Sequence, residues 1–178
     1  MEFSLEMGIP VLERTPATLR AMLLGLPDEW VKSNEGGDSW SPFDVVGHLV
    51  SLERVDWIPR ARMILEHGTA RPFDPVDRFA MFTESKGKSL EQLLDELAEL
   101  RQESLAQLRA MNLTPDHLQR SGRHPALGDV NLGHLLATWV AHDLNHIHQI
   151  AQTMARQYRD AVGVWREYLL IMDEGSAR

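Results

Sequence analysis

The chain contains no cysteine, so it has neither a disulfide framework nor a thiolate metal site. Any thiol chemistry needs a thiol from a substrate or cofactor. Long apolar runs are missing too: nothing approaches the roughly 18 to 20 residues that cross a bilayer, and the N-terminus lacks the basic-then-apolar order of a secretory signal. No membrane partner is expected, and the cytoplasm is the expected location. Basic side chains are scarce, 18 Lys and Arg against 26 Asp and Glu, for a formal charge of −8. Such a surface repels phosphates, so nucleic acid is not an expected partner. Arg54, Arg60, Arg62 and Arg71 come close together in sequence and are read as a solvated helix face.

What is present suits one soluble folded domain over residues 1–178, since 43% of the residues are hydrophobic and 25% charged. A chain of this size can bury a core of its own. Apolar residues at helical spacing predict a first helix between Pro10 and Leu26, with Thr15-Pro16 as its cap or Pro10 opening it earlier. Asp28 to Ser39 is read as a polar connection. Ser41-Pro42-Phe43-Asp44 predicts a capping box for a second helix that runs to a glycine stop at His67-Gly68, kinked by Pro59. Residues 69–88 lack a helical period and form a long loop, either a pocket wall or an apolar plug. Ser89 and Gln92 cap a third helix with a leucine stripe, whose Glu and Arg residues are expected to face solvent as far as Met111-Asn112. Thr114-Pro115-Asp116 caps a short turn, and Ser121 to Val130 is read as a connecting loop. Asn131 caps a fourth helix that reaches about Tyr158, and a last short helix is expected around Val164 to Ile171.

The chemistry concentrates in Ala141 to Ile150, reading Ala-His-Asp-Leu-Asn-His-Ile-His-Gln-Ile. On a helix, His142 and His146 lie one turn apart on one face, to within roughly 40°, and two imidazoles so placed can share a metal ion. His148 points away, to the solvent side. His48, in the second turn of the second helix, points near the core and can supply a further ring, although a lone buried histidine is more often a satisfied core residue. His117, His124 and His134 fall outside this grouping. The segment His142-Asp143-Leu144-Asn145-His146 also approximates a zinc-hydrolase motif with Glu167 as a third ligand, but Asp143 is one methylene shorter than the usual general base. A di-iron carboxylate site ranks lower still, because half of its motif is missing.

Trp40-Ser41-Pro42-Phe43-Asp44-Val45-Val46-Gly47-His48-Leu49 together with Trp139-Val140-Ala141-His142-Asp143-Leu144-Asn145-His146-Ile147-His148-Gln149-Ile150 resembles the DinB-like family. The resemblance runs from about Val11 to Leu169. It implies an all-α four-helix bundle with a long loop between helices two and three and short accessory helices. It also implies a divalent metal held by His48, His142 and His146, with zinc or nickel the first choices and iron, cobalt or manganese as alternatives. The activity it implies is a metal-dependent S-transferase or related enzyme using a low-molecular-weight thiol such as bacillithiol, mycothiol or glutathione, acting on a small-molecule substrate. Asp143 is then a supporting residue behind the ligands, and Gln149 reaches the edge of the pocket. The alternatives are a metal-dependent hydrolase and a non-enzymatic, metal-stabilised ligand-binding or stress-related protein. Homodimers are common among such relatives, and a monomeric mass in solution would contradict a dimer here.

Overall fold

The computed structural model describes residues 2–173, so residues 1 and 174–178 of the expected domain lie outside the described residues. The helices are α1 (Leu5–Leu23), α2 (Asp28–Lys32), α3 (Pro42–Val55), α4 (Trp57–His67), α5 (Met81–Glu84), α6 (Leu90–Ala110), α7 (Pro115–Leu118) and α8 (Leu132–Arg156). Strands β1 (Ser121–His124) and β2 (Gly128–Asn131) pair antiparallel, and two 3-10 turns, Gly163–Tyr168 and Leu170–Met172, close the chain. The architecture is the expected four-helix bundle: α1, α3 with its continuation α4, α6 and α8 pack around a leucine- and tryptophan-rich core. Among the described residues no helix is long and apolar enough to cross a membrane.

Local rules account for most helix starts. The Ser41 hydroxyl accepts from the Asp44 amide at 3.2 Å while the Asp44 carboxylate accepts from the Ser41 amide at 2.9 Å. With Pro42 in the first turn, these bonds fix where α3 begins and hence which residues face inward. Ser89 and Gln92 repeat the device on α6, and Asn131 caps α8 by accepting from the His134 amide at 2.7 Å. The second helix does not run unbroken to Gly68; it parts at Asp56 into α3 and α4. Pro59, which has no amide to offer the Val55 carbonyl, is the cause.

Four expectations need correction. Helix α1 starts at Leu5 under a Ser4 cap, and both Pro10 and Pro16 lie inside it. Burial of Leu12, Pro16, Leu19 and Leu23 on one face outweighs the prolines' local cost. The connection 28–39 contains α2, whose Val31 is buried. Residues 121–131 form a hairpin, stabilised from outside the segment: the Phe73 amide donates to the Arg123 carbonyl at 2.9 Å, and Gly122 lies so close to Ile64 and Phe73 that a Cβ would collide with them. The basic residues of 54–71 are not simply solvated. Arg54 pairs with Glu96, Arg60 with Asp56 at 2.9 Å and Arg71 with Asp74 at 3.1 Å, while Arg62 reaches Gln107 at 3.0 Å.

The 69–88 segment serves as both plug and wall. Phe73 and Met81 are buried, Phe79 and Phe82 are exposed, and Arg78 borders the principal cavity. It docks on α3 through Gly47, where an added Cβ would strike the Ser85 hydroxyl and sit 3.4 Å from the Met81 Cβ. Gly47→Val is therefore expected to cost about 1–3 kcal/mol through overpacking and to loosen α5. Amide exchange at residues 81–85 checks this, and wild-type protection there would refute it.

Candidate metal centre

Two elements meet to form the site. The capping box sets the phase of α3 so that His48 in its second turn points inward, with 6% of its surface exposed. Helix α8 brings His142 and His146 one turn apart on the facing side. The ligand-capable nitrogens of the three rings all lie within 4.8 Å of one another. Ring centroids are 5.5 Å apart for His48 and His142, 4.9 Å for His48 and His146, and 4.2 Å for His142 and His146.

All three rings are held neutral. Burial lowers His48 to about 4, helped by the charges of His146 and Arg78. Burial lowers His142 to about 3, helped by His146, His48 and Arg101. Burial lowers His146 too, against its hydrogen bond to Gln149 and the charge of Asp143, which act the other way. Neutral imidazole is the form that binds a metal.

The donor set fits a shared ion. Gln149 Oε1 lies 2.8 Å from His146 Nδ1 and fixes the proton there, leaving the Nε2 lone pair free. That Nε2 lies 3.0 Å from His142 Nε2, close to the roughly 3.3 Å separating two nitrogens on a tetrahedral zinc with bonds of about 2.0–2.1 Å. His142 Nδ1 is buried without a hydrogen-bond partner. Gln149 thus does more than reach the pocket edge: it orients a candidate ligand.

Aromatic side chains shape the surroundings. Trp40 lies 4.8 Å from His48 and stacks at 6.4 Å over His146, while Trp57 meets His142 edge-on at 5.1 Å and stacks on Trp139 at 5.7 Å. Trp40 and the three histidines border a cavity of about 560 Å³ whose other walls include Arg78, Asn145, Gln152, Thr153 and Arg156. His148 is exposed at its margin, as its position on the helix predicts.

Asp143, expected as a supporting residue behind the ligands, is completely buried. Both its oxygens are taken by Arg101, at 2.6 and 3.1 Å. Arg101 also donates to Glu53 at 2.8 Å and to the Leu12 carbonyl at 2.7 Å, and Trp139 Nε1 donates to the same Glu53 oxygen at 3.2 Å. One guanidinium thus ties α1, α3, α6 and α8 together behind the histidines. Pro16 supplies the opening, because it has no amide for the Leu12 carbonyl. The expectation that every arginine of α6 faces solvent fails at this position: desolvation is outweighed by two carboxylates, and burial pushes Glu53 upward against the pull of Arg101. A charged residue interrupting the leucine stripe gives no local sign of this.

The remaining candidates stay apart. Glu167 is exposed in the 3-10 turn Gly163–Tyr168 and is not in the three-histidine cluster. His117 belongs to the cap of α7, His124 lies against Phe73 at 6.1 Å, and His134 is exposed.

The four-helix bundle is the frame that the comparisons bear out. Residues 11–150 match the DinB superfamily, and the chain belongs to it. Among solved structures it is similar to YfiT from Bacillus subtilis, described as a probable metal-dependent hydrolase with an unusual four-helix bundle topology. The two are 27% identical, with a TM-score of 0.75 over 88% of this chain and 90% of that one. No curated protein matches the sequence.

Proposed function

We propose that His48, His142 and His146 bind one divalent metal ion, zinc or nickel in the first instance, and that the protein is a metal-dependent S-transferase or related enzyme using a low-molecular-weight thiol. The observation that carries this is the convergence of three neutral imidazoles on the wall of an open cavity lined by both polar and apolar surface. A purely structural ion needs no such space. When bound, a divalent ion lowers the pKa of a coordinated thiol or water. The protein's own residues do the rest: Gln149 sets the His146 tautomer, Trp40 and Trp57 keep two sides of the cluster dry, and Asn145, Gln152 and Thr153 offer hydrogen bonds to a ligand.

The choice of a thiol rests on Asp143. Hydrolysis at a His-x-x-x-His site relies on a carboxylate base beside the first histidine, and here that carboxylate is engaged at both oxygens by Arg101. A coordinated thiol is deprotonated without a base. The similarity to YfiT favours a second reading, a metal-dependent hydrolase. Metal-loaded protein with bacillithiol, mycothiol or glutathione and 1-chloro-2,4-dinitrobenzene separates the two. Thiol-dependent turnover lost in His146→Ala is the expected result. Thiol-independent ester hydrolysis that needs the metal would transfer the assignment to the hydrolase, and activity undiminished in His146→Ala would reject the site.

A further inference from the structure

Two arginines border the metal-site cavity, and they differ in what they are committed to. Arg156 is committed to an ion pair: its Nη1 meets both oxygens of Glu35, at 3.1 and 2.9 Å, and its side chain is 8% exposed. Arg78, on the 69–88 segment, makes no ion pair among the described residues. Its guanidinium lies 5.7 Å from the Trp40 ring centroid and 5.5 Å from that of Phe79. The Trp40 ring in turn lies against His48 and His146, so an unpaired guanidinium is held one aromatic ring away from the candidate ligands.

We propose that Arg78 is the recognition residue for a carboxylate group on the small molecule whose other end sits at the three histidines. The Trp40 and Phe79 rings hold the guanidinium at the cavity wall, and a planar fork of donors suits a carboxylate bidentately. A single negative charge fits better than a phosphate dianion. Glu35 is taken by Arg156 and Asp38 is a further carboxylate on the wall, so Arg78 is left as a single unpaired cation, matched to one negative charge and not to two. The inference gives the 69–88 segment a purpose beyond plugging the bundle. It rests on the metal-site reading but not on the identity of the nucleophile.

The test uses zinc-loaded full-length protein and two matched probe pairs. One pair is 3-mercaptopropionate and its neutral amide; the other is succinic monohydroxamate and its neutral amide, which binds metals without a thiol. Calorimetric affinities are measured for wild type, Arg78→Gln and Arg78→Lys. The wild type is expected to prefer each carboxylate by about tenfold, the value of one hydrogen bond between charged groups. Arg78→Gln should lose this preference while binding the neutral probes and zinc as before, and Arg78→Lys should keep part of it. A preference in the hydroxamate pair alone, with neither thiol bound, supports Arg78 and removes the thiol reading. Equal affinity within both pairs, or a preference that survives Arg78→Gln, overturns the inference and leaves the metal site standing. Protein that takes up no zinc overturns both.

Discussion

Arg101→Met is expected to lower folding stability by about 3–5 kcal/mol, the usual cost of removing one partner from a buried ion cluster. The side chains of Arg101, Glu53 and Asp143 are 2%, 1% and 0% exposed, so water does not replace the lost guanidinium. Two carboxylates would face each other across the bundle, the Leu12 carbonyl would lose its donor, and Trp139 would lose the cation 5.1 Å from its ring. The pH response gives a second signature. Burial already holds Glu53 above the ordinary carboxylate range, with Arg101 the main influence opposing it; without Arg101 it rises further. A raised folded-state pKa means that the native state binds more protons than the unfolded chain, so the variant should recover stability as pH falls from neutral towards the Glu53 pKa and lose it as pH rises. Adding Glu53→Gln and Asp143→Asn should restore much of the loss, because the unpaired charges disappear together. Urea unfolding of the single and triple variants measures all of this. A single-variant loss below about 1 kcal/mol, typical of exposed pairs, would show that the cluster does not bind the four helices together.

The difference between Arg101 and the histidines explains what the sequence could reveal. Helix starts at Ser41, Ser89, Thr114 and Asn131 are written within four residues each, and the structure forms every one of those caps. The His142 and His146 pairing is equally local, since helical geometry alone places them on one face. His48 sits near the core because the cap upstream fixes its phase. Arg101 obeys no such rule. It lies in Glu99-Leu100-Arg101-Gln102-Glu103, which reads as solvated helix, and its burial depends on Leu12, Glu53 and Asp143, which are 89, 48 and 42 residues away. Pro16 misleads for a related reason: its local meaning is a helix start, but the carbonyl it leaves free is taken up by a residue from another helix. The hairpin lacks an alternating apolar pattern because its support comes from Ile64 and Phe73 outside it. Local signals therefore disclosed the face that holds the histidines, and long-range electrostatics built the layer behind it.

His142→Ala should separate metal binding from folding in the opposite sense to Arg101→Met. Structural zinc sites bind with about 10–16 kcal/mol over four ligands, so losing one of three imidazoles should weaken affinity by about a hundredfold to a thousandfold. Metal-free stability should change far less, by about 1 kcal/mol, because the ring's one hydrogen-bond contact is that of its Nε2 with His146 Nε2 at 3.0 Å, its Nδ1 has no partner, and the ring repels any charge placed on His48 or His146. Acid gives an independent check on the same rings. An ordinary histidine titrates near 6.5, whereas burial holds His48 near 4 and His142 near 3. These are depressed folded-state values, so below pH 6.5 the unfolded chain takes up protons that the folded protein refuses. The stability they contribute is complete above that pH and drains away as pH falls towards 3. Metal should accordingly stay bound through the range where exposed histidines protonate, and leave only as the helices unfold. Elemental analysis after dialysis at stepped pH, alongside circular dichroism, tests this directly. Release with a midpoint near pH 6.5 from a bundle still fully helical would mean that the rings are hydrated and free to charge, and the shared coordination of one ion by His48, His142 and His146 would fail with it.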